Sequence, residues 1–370
     1  MRIVVAPDSF KGTVDASRAA DAMARGWSSV RPDDEVRSAP LADGGEGTLE
    51  VIARSVPGAT YHDVPGCTGP DGRPVTGRWL ALPDGSAVVD LAQVVGLPRM
   101  EHPDALGAST RGLGEVIGAA LDAGATSLVI ALGGSASTDG GAGALSALGL
   151  ALLDETGEPL PDGGGALERL FFADMTDLRR PPAGGVTLLT DVTNPLLGTQ
   201  GSAAVYGPQK GATADDVARL ENGLGRFAGV LGGTPDAPGA GAAGGTAYGF
   251  MVAWKARVEP GAAAIARLVR LENLLAGADV LLTGEGRFDA TSLHGKAVGE
   301  ALALASSGPR TAVVAGTVAA RSALDALGAW HCALSEIAGS DAAAVAEPER
   351  WLFDAGARAA RELGGPTPAA

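Results

Sequence analysis

Residues 127–149 read SLVIALGGSASTDGGAGALSALG. The first six are an apolar run of the length and composition of a buried strand, and the stretch from about 140 to 150 carries alanine and leucine at helical spacing. Between them lies GGSASTDGGAG, 133–143, with five glycines, one carboxylate (Asp139) and no cation. Strand, glycine loop and helix in that order are the working half of a βαβ unit, and a glycine loop before a helix can offer backbone N–H groups to an anion. If this loop holds a phosphate, its positive charges come from elsewhere in the chain.

The same rhythm extends outward. RIVVA (2–6) predicts a short strand ending in a proline-bearing loop, and Val14, Ala16, Ala19, Ala20, Met23 and Trp27 then recur at helical spacing. A strand near 35–40, the loop LADGGEG and a helix through TLEVIARSV repeat the unit. RWLALPDGSAVVDLA (78–92) breaks it, because two strands joined at a PDG turn make a hairpin that a purely parallel sheet does not need. A helix near 112–123, strands GVTLLT (185–190), ADVLLT (278–283) and TAVVAG (311–316), and a helix from about Lys296 follow. The last helix carries Trp351, Ala355, Ala359 and Leu363 before Gly364, expected as its C′ stop. GGTPDAPGAGAAGGTAYG (232–249) reads as a mobile loop. Both ends are β-loop-α and the middle is mixed, so we expect an α/β protein with a discontinuous domain into which a second α/β domain is inserted.

Length and composition bound the function. A chain of 370 residues favours two domains. Glycine (56) and proline (23) are abundant, but 46% of residues are hydrophobic and the glycines separate apolar runs, which fits a loop-rich enzyme rather than disorder. A net charge of −15 without a basic tail argues against nucleic-acid and acidic-membrane partners. Cys67 and Cys332 lack CxxC spacing, so neither a zinc site nor a disulfide framework is expected. With no apolar run long enough to span a bilayer and no signal-peptide pattern, the expected location is the cytoplasm. Only four of the 28 basic residues are lysine, and Lys11, Lys210 and Lys296 all stand in glycine-containing segments, DSFKGT, GPQKGA and HGKAVG. A compact ammonium on a flexible stem is a point charge suited to phosphate.

Ligands of open α/β sheets sit at the carboxyl ends of the strands. The polar residues there are Asp8, Ser9 and Lys11; Asp43 and Glu46; Ser135, Thr138 and Asp139; Asp191 and Asn194; and Glu285, Arg287 and Asp289. Some have purely structural alternatives: Asp43 and Glu46 have the spacing of a capping box, and Asp139 could cap the helix after it. Asp191 is followed by an Asn-Pro turn rather than a helix, and TGEGRFDATSLHGK crowds Glu285, Arg287, Asp289, His294 and Lys296 into one segment, with the lone His294 better suited to a structural hydrogen bond. Dinucleotide, Walker A, zinc-protease and nucleophile-elbow signatures are missing from the sequence. Glycine loops, scattered cations and strand-end carboxylates are the parts that phosphoryl transfer to a small hydroxyl compound requires. The residues alone do not name the acceptor.

VVAPDSFKGT, ADGGEGT, GGSASTDGGAGALSALG, TDVTNPLLG, YGPQKGA, GAGAAGG and LTGEGRFDATSLHGKA occur in the order and approximate spacing of the bacterial glycerate kinase family, and the resemblance covers about residues 1–360. The chain departs from the family's usual pattern at Ser137-Thr138, Thr190 and Thr246-Ala247. The resemblance implies ATP-dependent, Mg²⁺-assisted phosphorylation of D-glycerate, giving 2-phospho-D-glycerate, by a monomer or homodimer. It further implies a flavodoxin-like parallel-sheet domain, 1–62 plus 277–370, an inserted mixed α/β domain, 63–276, and an active site in the cleft between them that closes over its substrates. On this reading the catalytic residues are Asp191, the general base, Asp289, its competitor, and Lys296, which together with Lys11 and Lys210 holds substrate carboxylate and phosphates. Lys11, Lys210, Arg287, Asp8, Ser9, Gly133, Gly134, Ser135, Asp139 and Asn194 hold substrate and phosphates, and Asp43 and Glu285 assist the metal. The alternatives are a kinase for another small hydroxy acid and a non-catalytic glycerate sensor.

Overall fold

A computed structural model describes residues 1–293 and 295–365, which leaves His294 outside the described residues. The strands, in chain order, are β1 (Arg2–Val5), β2 (Glu35–Ser38), β3 (Thr60–Thr68), β4 (Pro74–Ala81), β5 (Ser86–Asp90), β6 (Ser127–Ala131), β7 (Ala151–Leu153), β8 (Phe172–Asp174), β9 (Val186–Leu189), β10 (Arg257–Glu259), β11 (Val280–Phe288), β12 (Arg310–Val318) and β13 (Trp330–Ala333). The chain forms two compact units, one of Met1–Asp43, Glu50–Val56 and Gly261–Ala370, the other of Gly44–Leu49 and Pro57–Pro260.

In the first unit five strands run in the order β13-β12-β11-β1-β2, all parallel. Counted within the unit this is 2-1-3-4-5, the doubly wound order of flavodoxin-like sheets, as the resemblance implies. The central strands are uninterrupted apolar runs because helices cover both faces. On one face Ile3, Val5, Val280, Leu282, Ala312 and Val314 pack with Met23, Trp27, Leu352, Ala355 and Ala359 of the helices Ala16–Val30 and Pro348–Leu363. Val313 and Ala315 point to the other face, with Val298, Leu302 and Leu324. Asp15 caps Ala16–Val30 by accepting the Arg18 N–H at 2.8 Å. The terminal helix ends before Gly364 as expected, but Gly364 has φ −76°, so the stop is not a left-handed cap. A side chain there would instead meet Ala360 O and the Arg31 side chain.

The second unit holds a six-stranded sheet, β10-β9-β6-β5-β4-β3. The expected hairpin is β4–β5, and β3 adds to it antiparallel, whereas β5, β6, β9 and β10 are parallel. The sheet is therefore mixed. A short antiparallel pair, β7–β8, stands apart from it.

Three local expectations change. β11 runs on to Phe288, because the GEGRF segment continues its ladder with β12, Glu285 opposite Ala315 and Arg287 opposite Thr317. The helix after the glycine loop is only Ala142–Ala147. The 232–249 segment is packed rather than loose: Ala240, Ala242 and Tyr248 are buried, the Gly140 N–H donates to Gly244 O at 2.9 Å, and residues from Thr246 onward form the helix Thr246–Trp254. Its glycines permit close backbone approach, since a Cβ on Gly244 would lie 2.0 Å from Ser137 O. Among the described residues no helix is long and apolar enough to cross a membrane.

Candidate active site

The parallel sheet of the first unit reverses its winding between β1 and β11, and the crevice at such a switch point opens at the strands' carboxyl ends. Beyond Val5 the chain keeps its ladder: the Ala6 N–H donates to Leu282 O and the Asp8 N–H to Gly284 O, both at 2.8 Å. Asp8 is thereby held beside Gly284-Glu285. Residues 10–14 form a tight turn, with the Phe10 N–H to Val14 O at 2.9 Å and the Thr13 N–H to Phe10 O at 2.9 Å, and Lys11 is at its tip. The turn lies over β11, where a Cβ on Gly286 would meet the Phe10–Lys11 backbone at 3.4–3.6 Å, in ordinary contact. On the other side the Leu41 N–H donates to Pro7 O at 2.8 Å and carries Asp43 into the same place.

These residues line a cavity of about 400 Å³ that includes Asp8, Ser9, Lys11, Asp43, Glu285, Arg287, Asp289 and Lys296. Lys11 Nζ donates to Asp43 Oδ2 at 3.2 Å, and the proximity of Asp43 holds the ammonium above its ordinary pKa. The capping-box reading of Asp43 and Glu46 does not hold, because the helix begins at Thr48 and neither residue occupies its cap position. Burial raises the Asp8 carboxyl to about 7, with Asp43 and Glu285 adding to the shift and the Ser9 N–H and Lys11 opposing it. Burial also raises Glu285, whose Oε1 is enclosed without a hydrogen-bond partner. Asp289 is lowered by the Thr291 hydroxyl, which donates to its Oδ1 at 2.6 Å. Arg287 is exposed and 3.9 Å from Asp289.

The second unit carries the other strand-end residues. Asp139 is fully buried and accepts from the Thr110 N–H (2.9 Å), the Thr110 hydroxyl (2.8 Å), the Gly141 N–H (3.1 Å) and the Gly143 N–H (3.2 Å). The cap position of the helix Ala142–Ala147 is Gly141 rather than Asp139, whose carboxylate instead ties Thr110 to the glycine loop. Lys210, 2% exposed, donates from Nζ to Ser135 Oγ at 3.0 Å and to Ser137 O. Burial lowers its amine to about 8, with Asp139 opposing. The polar atoms of Asp139 and Lys210 thus bond within the second unit, to Thr110, Gly141 and Gly143 and to Ser135 and Ser137 respectively. Gly133, Gly134 and Ser135 lie in that loop at the end of β6, and a Cβ on Gly133 would fall 2.4 Å from Gly45 Cα. Asp191 is exposed just past β9. Asn194 stabilises the following turn, donating from Nδ2 to Gln200 O and accepting from the Tyr206 hydroxyl at Oδ1, each at 2.8 Å.

Gly316, Leu334, Ala344, Val345 and Pro348 also line the first unit's cavity and are not among the sequence candidates. Gly316 ends the apolar run TAVVAG and could have been found by the strand-end rule. The others are aliphatic, and nothing in an alanine-rich sequence separates a cavity wall from core.

The Glycerate kinase family profile matches residues 3–364. Over 305 residues the chain is 43% identical to "Glycerate kinase" of Bacillus subtilis (strain 168), covering 80% of this chain and 79% of that one. It is 39% identical over 305 residues to "Glycerate 2-kinase" of Escherichia coli (strain K12), covering 80% of each. A crystal structure from Salmonella typhimurium LT2 superposes with a TM-score of 0.83 at 33% identity, over 98% of both chains.

Proposed function

Because this chain belongs to the glycerate kinase family, and so phosphorylates glycerate at the expense of a nucleotide, we propose that the nucleotide is ATP carried with Mg²⁺ and that the product is 2-phospho-D-glycerate. The name of the Escherichia coli relative supports phosphorylation at the 2-hydroxyl. The observation that carries the reading is the first unit's cavity, where Lys11, Arg287 and Lys296 meet Asp8, Asp43, Glu285 and Asp289 at the sheet's switch point.

Three cations are too few to offset both those carboxylates and a triphosphate, so the anion needs a divalent ion beside it. The enclosed, partnerless Glu285 Oε1 and the Asp8 carboxyl, raised by burial and then by Asp43, fit a cation in this place. Among the described residues no three His, Cys, Asp or Glu side chains form a ready cage. Mg²⁺ does not require one, since it keeps several waters and takes one or two carboxylates together with phosphate oxygens. Asp43 and Glu285 would hold it, with Asp8 beside them, and it would supply charge neutralisation at the phosphates. Lys11, Lys296 and Arg287 add point charges to the same phosphates. Asp191 takes the proton of the attacking hydroxyl; the lowered basicity of Asp289 makes it the weaker candidate. Both loci serving one reaction is part of the proposal, as is action in the cytoplasm.

ADP release from purified protein tests the reading. ADP should form only with ATP, D-glycerate and Mg²⁺ together and should stop on chelation. ADP formation independent of glycerate, or none with any small hydroxy acid, would reject it.

A further inference from the structure

The cavity of the first unit has two unlike ends. Its charged end lies at β1 and β11. Its other end, beyond Gly316 of β12, is an apolar shelf of Leu334, Ala344, Val345 and Pro348. The aliphatic lining does not duplicate the chemistry of the charged lining.

The shelf is built rather than incidental. Leu334 and Ala344 are 2% and 6% exposed, whereas Val345 beside them is 59% exposed, an aliphatic face left open where the cavity needs a wall. The helix that carries it, Asp341–Ala346, is fixed at both sides: Ser340 Oγ accepts the Ala343 N–H at 3.1 Å, and the Trp351 indole donates to Ala343 O at 2.9 Å. The floor between the two ends carries no side chain, because Gly286 and Gly316 lie so close that a Cβ on Gly316 would be 2.3 Å from Gly286 O. A second hollow continues from Thr13, Val345 and Pro348 toward Arg18 and Arg350.

Glycerate has three carbons, two hydroxyls and a carboxylate, and no apolar face to place on such a shelf. Of the two substrates proposed above, only the nucleotide has a flat, weakly hydrated part at a distance from its charges. We propose that the first unit is the nucleotide subsite: the purine base lies against Leu334, Ala344, Val345 and Pro348, and its phosphates extend over the glycine floor to Lys11 and Lys296. This assignment rests on the ATP-dependent reading, which does not itself say which unit takes the nucleotide.

Val345→Glu tests it in the full chain, since the side chain is exposed and its replacement should leave folding intact. Calorimetric titration with the magnesium salt of ADP should show binding weakened about tenfold or more, and the KM for ATP should rise in step, while the KM for glycerate stays within about twofold. Val345→Leu, which keeps an aliphatic face, should bind as wild type. Unchanged ADP affinity in Val345→Glu, or a rise confined to the glycerate KM, overturns the assignment even where wild type makes phosphoglycerate. The opposite failure is separable: Mg·ADP binding that is weakened by Val345→Glu in a protein without glycerate turnover would keep the subsite and reject the activity. Wild type that binds no Mg·ADP overturns both.

Discussion

Replacing Lys210 with methionine would strand Ser137 O inside the second unit and remove the donor to the half-buried Ser135 Oγ. Unmet buried acceptors cost about 1–3 kcal/mol, so Lys210→Met should lower the urea midpoint at neutral pH. The pH dependence has a definite sign. The folded amine titrates at about 8 and a free lysine at 10.5, so between these values the unfolded chain binds more proton and stability rises with pH. Lys210→Met should lack that rise; parallel profiles for the two proteins would show that this amine does not titrate there. Asp191→Asn should lower kcat by about 10²-fold or more, whereas Asp289→Asn, whose carboxylate is already committed to Thr291, should stay within a few-fold. The reverse pattern would move the base to Asp289. Sequence reading gave Asp139 and Lys210 the same standing as Lys11 because it sees charge and spacing but not burial.

At the scale of elements, the helices Ala16–Val30 and Pro348–Leu363 cross at glycine. A Cβ on Gly26 would lie 2.0 Å from Phe353 O, and one on Gly356 would lie 2.2 Å from Met23 O. Gly356→Ala should therefore force the pair apart and cost about 1–3 kcal/mol, read as a drop in Tm of about 2–4 °C per kcal/mol. Gly225→Ala, on the helix Ala214–Leu231 with nothing within 4 Å, is the control and should be neutral or slightly stabilising. A Tm for Gly356→Ala equal to that of the control would contradict this packing. The strands were legible because burial on both faces writes them as apolar runs. The extension of β11 through GEGRF was not, since glycine and arginine carry no strand signal and only the neighbouring β12 recruits them. The 232–249 segment misled for a related reason: glycine and alanine signal looseness in isolation, yet here they let its backbone pack against that of residues 137–140.

For the whole molecule, the β-loop-α rhythm at both ends and the hairpin between them were enough to expect a discontinuous α/β domain with a second α/β domain inserted, while the flavodoxin-like sheet, found in the order 2-1-3-4-5, was implied by the family resemblance. The charged end of the cavity was legible because polar residues that follow apolar runs collect at one edge of a parallel sheet. The apolar shelf was hidden among alanines. Phosphorus NMR of the full chain with ATP, Mg²⁺ and D-glycerate tests the central claim most directly: 2-phosphoglycerate appearing in step with ADP is the predicted result, and 3-phosphoglycerate, or ADP with no phosphorylated acid, would contradict it.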